Sequence, residues 1–296
     1  MATIGAFDGV HLGHQAVLQK LREKSAEYGL PALVITLEPL PREFFAPEEA
    51  PARILSFREK IMALREEGID RLLAIRFNRA FSAMPAEDFV RKVLWQQLGV
   101  SYLIVGDDLR FGAGRKGDFS LLQRMGSELG FQVADTGTVH VDGERVSSSR
   151  IREALEQSDF GMAGRLMGRP YAITGKVVHG QHLGRTIGVP TLNLLLRRKK
   201  AALSGVYVVR AVVDGISQQG VANVGTRPTV HAGQRVGLEV HLLDFSRDVY
   251  GSMVQVIFCR KLRGEKKFGS LDELKTAINH DIASARHFFT DGIKHD

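Results

Sequence analysis

Two rhythms of apolar residues divide the chain. Up to about Leu155, short β-branched runs alternate with longer stretches whose apolar positions recur every three or four residues. This predicts strands at Ala32–Leu37, Arg71–Ile75, Tyr102–Val105 and Phe131–Ala134, and helices around Gln15–Tyr28, Phe57–Glu67, Ala86–Leu98 and Phe119–Leu129. Strands that take turns with helices form a parallel sheet with helices on its faces, so the first half is expected to be a doubly wound α/β domain. Beyond the segment Glu156 to Pro170 the helical spacing stops. Ala172–Val178, Gly205–Val213, Gln218–Asn223, Val236–Leu243 and Met253–Lys261 read as strands separated by turn glycines, which predicts an antiparallel barrel or sandwich. A last amphipathic stretch, Leu271 to Phe289, is expected to cover an open end or edge of that barrel. The resulting layout is a domain at residues 1–156, a linker at 157–169 and a second domain at 170–296. Trp95 sits in a helical apolar pattern and is assigned to the core.

Composition narrows the function. A 44% hydrophobic content over 296 residues fills two cores and excludes disordered or collagen-like chains. Forty Lys+Arg against 33 Asp+Glu leave +7, a balance that favours phosphate-bearing partners, for which nucleotides suffice. The basic run Arg197–Lys200 reads as a solvated loop face or a weak steering charge. The single Cys259 forms no intrachain disulfide, and no apolar run of about 18 residues occurs, so a soluble cytoplasmic protein without a membrane partner is expected.

The candidate chemistry begins at Gly5–His14, GAFDGVHLGH, where a strand stub runs into glycines, two histidines and an amphipathic helix. Glycines permit close approach of backbone to phosphate, and a helix N-terminus offers free N–H groups and positive potential. His11 and His14, three apart on an opening helical turn, share a face and can donate to one oxyanion. A glycine turn with two surface histidines is the plain alternative; a zinc pair lacks cysteines or an HExxH pattern to complete it. Only Ala2–Ile4 are left to form a first strand ahead of the turn, so the chain start reads as short. Ser147–Ser149 ahead of Arg152 read equally as a helix N-cap with an arginine reaching over it. Gly112, Gly114 and Gly117 spell GxGxxG, but six residues separate them from the preceding strand, and the segment reads as a flexible loop rather than a dinucleotide fingerprint.

In the second half, Gly180, Gly184 and Gly188 punctuate a loop between β segments, and no Walker sequence occurs anywhere. Pro190 stiffens the approach to Thr191 and Asn193, which point the same way in an extended segment and offer two oxygens to one magnesium ion. An ordinary turn series with a solvated Thr and Asn remains the alternative. Glu239 faces away from the apolar set Leu238, Val240 and Leu242, as a solvated strand carboxylate also would. His179 and His182 flank the loop and are given surface roles.

GAFDGVHLGH, VITLEPLPREFFAP from Val34, VGDDLRFGAGRKGD from Val105 and RVSSSRIREAL from Arg145 resemble the adenylyltransferase module of the bacterial bifunctional riboflavin kinase/FAD synthetases. The resemblance implies that His11 and His14 stabilise phosphate charge in a turn that includes Gly5, Phe7 and Asp8. It also implies that Arg145, Ser148 and Arg152 form a late phosphate motif, and that Asp108, Pro39 and Pro41 line the nucleotide and flavin end. Where the family usually reads F-x-P-H-P this chain has Leu37, Pro39, Leu40 and Pro41, and Leu109 replaces a common phenylalanine.

GRTIGVPTLNL, GVYVV, GVANVGTRPTV, LEVHLLDF and KLRGEKKF similarly resemble the riboflavin kinase module, over nearly all of residues 170–290. By this resemblance Thr191 and Asn193 hold MgATP beside a nucleotide loop carrying Gly180 and Gly184, and Glu239 deprotonates the ribityl 5′ hydroxyl. The implied function is phosphorylation of riboflavin to FMN, then adenylylation of FMN to FAD, with ATP, Mg2+ and flavins as the small molecules involved and no nucleic acid. Two alternatives stand beside it. One is a kinase with an impaired adenylyltransferase half. The other is a nucleotide- or RNA-binding module without turnover, which the lack of interleaved aromatic and basic residues disfavours.

Overall fold

The computed structural model describes residues 1–106, 108–180, 188–196, 198, 200–228 and 234–291, the side chains of 226–228 and 234–235 excepted. Its contacts separate into two compact units. The first comprises Met1–Pro51 and Phe57–Ser148; the second joins Ala52–Ser56 to the chain from Ser149 onward.

In the first unit, β1 (Ala2–Ile4), α1 (Leu12–Tyr28), β2 (Leu33–Glu38), α2 (Pro41–Phe45), α3 (Phe57–Glu66) and β3 (Arg71–Arg76) come first. α4 (Arg79–Ser82), α5 (Ala86–Asp88), β4 (Tyr102–Val105), α6 (Phe119–Leu129) and β5 (Gln132–Asp135) follow. The five strands are parallel in the order β3-β2-β1-β4-β5. The stub β1 is the central strand, with Ala2 opposite both Leu33 and Leu103. Alternation along the strands sends Ala2, Ile35, Leu103 and Val105 to one face, against Phe89, Leu94, Leu122 and Met125. Thr3, Val34 and Thr36 point to the other, where Lys60 of α3 reaches Thr36 Oγ1 at 3.5 Å. Because the chain crosses from β3 back over β1 to β4, the carboxyl ends of β1 and β4 flank a topological switch point, the usual ligand crevice of open α/β sheets.

Two local expectations are corrected. α5 runs on as a π-helix over Phe89–Gln97, whose wider turn takes Trp95 off the apolar stripe and leaves it 39% exposed rather than in the core. The GxGxxG segment is a packed turn, not a loose loop. A Cβ on Gly112 would lie 2.6 Å from Ala86, and one on Gly117 would lie 2.7 Å from the Phe111 ring. A hairpin of β6 (His140–Val141) and β7 (Glu144–Arg145) was not anticipated, although Asp142-Gly143, both at positive φ, is a strong hairpin signal.

After α7 (Ser148–Glu156), α8 (Phe160–Met167) occupies the segment read as a linker, capped by Asp159 and ended by Gly168 at φ 69°. β8 (Ala172–Val178), β9 (Leu192–Leu195), β10 (Gly205–Val213), β11 (Ile216–Pro228), β12 (Gln234–Leu242) and β13 (Met253–Arg263) close into a barrel in the order β10-β11-β12-β9-β8-β13. Its interior holds Ile173, Val209, Ala211, Ala222, Leu238, Val240 and Val256. Phe160 of α8 stacks on the interior ring of Phe258 and meets Tyr207 edge-on, with centroids 5.9 and 5.8 Å away, and so closes one barrel end. α9 (Leu271–Asp291) therefore has a different place from the one expected. Its Ala285 and Phe289 pack on the outward-facing Val206, Val208 and Val221, so it covers the outer wall of β10 and β11.

Candidate active sites

The first site lies where β1 ends. Gly5 N donates to Ile35 O at 3.0 Å, extending the sheet by one bond before the chain turns. Phe7 and Val10 take positive φ (48° and 40°) around Gly9 at 93°, a strain worth about 1–3 kcal/mol per residue and characteristic of ligand-binding turns. Phe7 is buried, with its ring 3.1 Å from a Cβ built on Gly5 and its centroid 4.9 Å from that of His14. It supports the site rather than facing it.

His11 is the N-cap of α1, and its Nδ1 accepts from His14 N at 3.3 Å. A neutral ring in this arrangement carries its proton on Nε2, poised as a donor. The His11 and His14 rings stack with centroids 3.7 Å apart and planes at 15°. Gly13 makes room for this, because a Cβ there would meet the His11 ring at 3.2 Å.

Ser148, opening α7, donates to Asp8 O at 2.8 Å and ties the late motif to the turn. Arg145, carried by the hairpin, pairs with Asp108 beyond the end of β4 at 2.6 Å. The structure thus brings Gly5, Phe7, Asp8, His11, His14 and Ser148 together, and Arg145 to Asp108. Arg152 goes elsewhere, donating Nε to Ala52 O at 2.7 Å within the other contact unit. Pro39 follows β2 and Pro41 opens α2, ahead of Phe45, which is 67% exposed beside Phe44 and Phe77. The sequence reading did not single out Phe45; an aromatic pair at the end of a short, unburied helix is the signal for it. A hollow of about 270 Å³ lined by Arg22, Ser25 and Asp70 lies at the opposite, amino-terminal end of the strands.

The second site is a row on the outer wall of the barrel. Register places Asn193 of β9 opposite Glu239 of β12, and Glu239 opposite Asn223 of β11. Directly paired residues share a face, so the carboxylate stands between two carboxamides on adjacent strands. Thr191, two before Asn193, lies on the same face by alternation. Gly180 sits against Asn193 so closely that a Cβ there would overlap the carboxamide. His241 Nδ1 lies 2.8 Å from Pro190 O, and the His179 ring packs on Tyr250 with centroids 3.8 Å apart. Beside Thr191 a cavity of about 160 Å³ opens between Leu242, Phe245, Val249 and Tyr250. The loop lining it is fastened by Asp244 to Arg286 of α9 and by Arg247 to Asp214. The hydrogen bond from Arg286 holds the Asp244 carboxyl below its ordinary value, and burial pushes the Cys259 thiol up. Gly184 and His182 fall outside the described residues.

Comparison with known proteins places both halves of the chain in one lineage. A family model described as FAD synthetase matches residues 1–150, and one described as riboflavin kinase matches residues 167–289. A Pseudomonas fluorescens protein named bifunctional riboflavin kinase/FMN adenylyltransferase is 51% identical over 286 residues, 97% of this chain and 92% of the relative. One of the same name from Escherichia coli strain K12 is 50% identical over 290 residues, with the same coverage. The chain belongs to the bifunctional riboflavin kinase/FMN adenylyltransferase family.

A solved Streptococcus pneumoniae structure, described as a macrolide-efflux protein, is similar with a TM-score of 0.79 at 30% identity, over 96% of this chain and 93% of its own. No helix among the described residues is long and apolar enough to cross a membrane. The expected fold, a parallel-sheet nucleotidyltransferase unit followed by an antiparallel riboflavin kinase barrel, agrees with these matches, as does a bifunctional flavin-cofactor enzyme. Sequence reading passed over Asn223, although its place in GVANVGTRPTV, among the motifs shared with the riboflavin kinase/FMN adenylyltransferase family, was the available signal.

Proposed function

We propose that the barrel phosphorylates riboflavin with Glu239 as the base, and that the α/β unit adenylylates FMN at the His11–His14 turn. The single observation that carries the first assignment is the row Asn193, Glu239, Asn223, with Gly180 seated on Asn193. A carboxylate fixed between two carboxamides is oriented to accept the proton of the ribityl 5′ hydroxyl as its oxygen bonds to the γ-phosphorus; the bond to the bridging oxygen breaks and ADP leaves.

No cluster of three acidic, His or Cys ligands exists among the described residues, but magnesium in kinases keeps waters and phosphate oxygens and needs few protein donors. The side-chain oxygens of Thr191 and Asn193, aligned on one face, fit that requirement and would hold it. When bound it neutralises phosphate charge. The cavity beside Thr191, walled by Phe245, Val249 and Tyr250, suits the nucleotide base.

In the other unit, the stacked rings of His11 and His14 stand at the opening of α1, directly after the turn that follows β1. They stabilise charge as an FMN phosphate oxygen attacks the α-phosphorus and pyrophosphate leaves. Asp108 and Arg145 border this crevice, and the exposed Phe45 offers a face to the isoalloxazine ring. On this reading the enzyme acts in the cytoplasm on riboflavin, FMN and ATP, without nucleic acid.

The test is incubation with riboflavin, magnesium and ATP and chromatography of the flavins over time. FMN followed by FAD is expected; FMN alone would leave the adenylyltransferase assignment without support. Glu239→Ala should lower FMN formation by about 100-fold or more and spare FAD formation from supplied FMN, and His14→Ala should do the reverse. Full-rate FMN formation by Glu239→Ala would remove Glu239 from the mechanism.

A further inference from the structure

The outer-wall row that holds Glu239 has a neighbour with an unusual composition. Two residues along both strands, and therefore on the same face, Gly225 of β11 pairs with Gly237 of β12. Two opposed glycines leave a strip of bare backbone about 7 Å from the Asn223–Glu239 pair, by the strand rise. That strip is not empty of chemistry. The carboxylate of Glu265, arriving from beyond β13, lies over it so closely that a Cβ on Gly225 would overlap Oε1, while Oε2 accepts from Ser204 Oγ at 3.1 Å.

A carboxylate has about four acceptor positions on its two oxygens, so one bond from Ser204 leaves capacity for further donors. A polyol whose terminal hydroxyl meets Glu239 runs its remaining hydroxyls along the neighbouring surface, and the glycine floor with the Glu265 carboxylate seated on it brings that carboxylate beside such a chain. Glycine at 225 is required there for a reason unrelated to turning: at this mid-strand position a methyl group would displace the carboxylate.

We propose that Glu265 accepts hydrogen bonds from the secondary hydroxyls of the ribityl chain and so sets the polyol specificity of the kinase. The inference rests on Glu239 as the site of the reacting hydroxyl. It assigns Glu265 to recognition and leaves proton transfer to Glu239.

The experiment compares kcat/KM for riboflavin with that for a flavin bearing an unbranched 5-hydroxypentyl chain, which keeps the ring and the terminal hydroxyl but lacks the secondary ones. The wild-type chain should prefer riboflavin by about tenfold or more, the worth of one or two well-placed hydrogen bonds. Glu265→Ala should lose about that factor on riboflavin and stay within about twofold on the analogue. Gly225→Ala should do the same, because its methyl occupies the carboxylate's place. Glu265→Gln, which retains an acceptor oxygen, should recover part of the preference. An equal loss on both substrates would make Glu265 a mere fastener of its loop and overturn the proposal, as would an unchanged ratio. Phosphorylation of the hydroxypentyl analogue at close to the wild-type rate in each variant reports that the barrel is folded. Phosphorylation surviving in Glu239→Ala would mark a failure of the underlying reading instead.

Discussion

At Gly180 the need for glycine is a matter of space in the site itself, since the Asn193 carboxamide fills the position a Cβ would take. Gly180→Ala should therefore push Asn193 out of line with Glu239 and cut riboflavin phosphorylation by about 10- to 100-fold, a misplacement effect. Thermal midpoint and FAD formation from FMN should stay close to wild type, measured on the same preparation. Residues of this kind mark the limit of what the sequence shows. His11 with His14 and Thr191 with Asn193 were legible because their spacing alone puts each pair on one side of a local element. Glu239 was legible as outward-facing but not as the neighbour of Asn223, and Glu265 was not legible over Gly225. Both relations depend on which strand lies beside which, a choice made by hydrogen-bond register between distant segments.

Helices show the same division between pattern and place. The stripe on Leu271–Phe289 announced a buried face without naming its partner, and the helix proved to pack on the outer wall while α8, hidden in a presumed linker, took the barrel end. What fixes α9 is a fork of hydrogen bonds from Arg263 Nε and Nη2 to Asp281, whose carboxylate is 5% exposed. Removing the arginine strands a buried charge. Arg263→Ala should lower unfolding free energy by about 2–3 kcal/mol in urea titrations, below the range for fully buried pairs because Arg263 keeps 28% of its side chain in solvent. The pair replacement Arg263→Met with Asp281→Leu should restore most of it; a double variant as weak as the single one would show that the loss comes from packing rather than from stranded charge.

Across the whole molecule, the two units do not follow the order of the chain. Residues 52–56 come from the first half yet belong with the second unit, where Arg152 donates to Ala52 O and the buried Arg198 donates to Arg53 O and Ile54 O at 3.4 and 3.3 Å. The basic run read as a solvated face thus contains one arginine, Arg198, that is 7% exposed and committed to backbone carbonyls. Ile54, wholly buried, adds roughly 1.5–3 kcal/mol of apolar burial. A fragment comprising 149–296 should consequently unfold at a lower urea concentration than the same unit in the full chain, by at least about 2 kcal/mol. Equal midpoints would show that the strap contributes nothing to stability.

Borrowing between relatives is constrained by that strap. A hybrid made by a single splice near residue 149 would join one parent's carbonyl strap to the other parent's arginines, so a matched exchange has to carry the five-residue segment across as well, with three junctions instead of one.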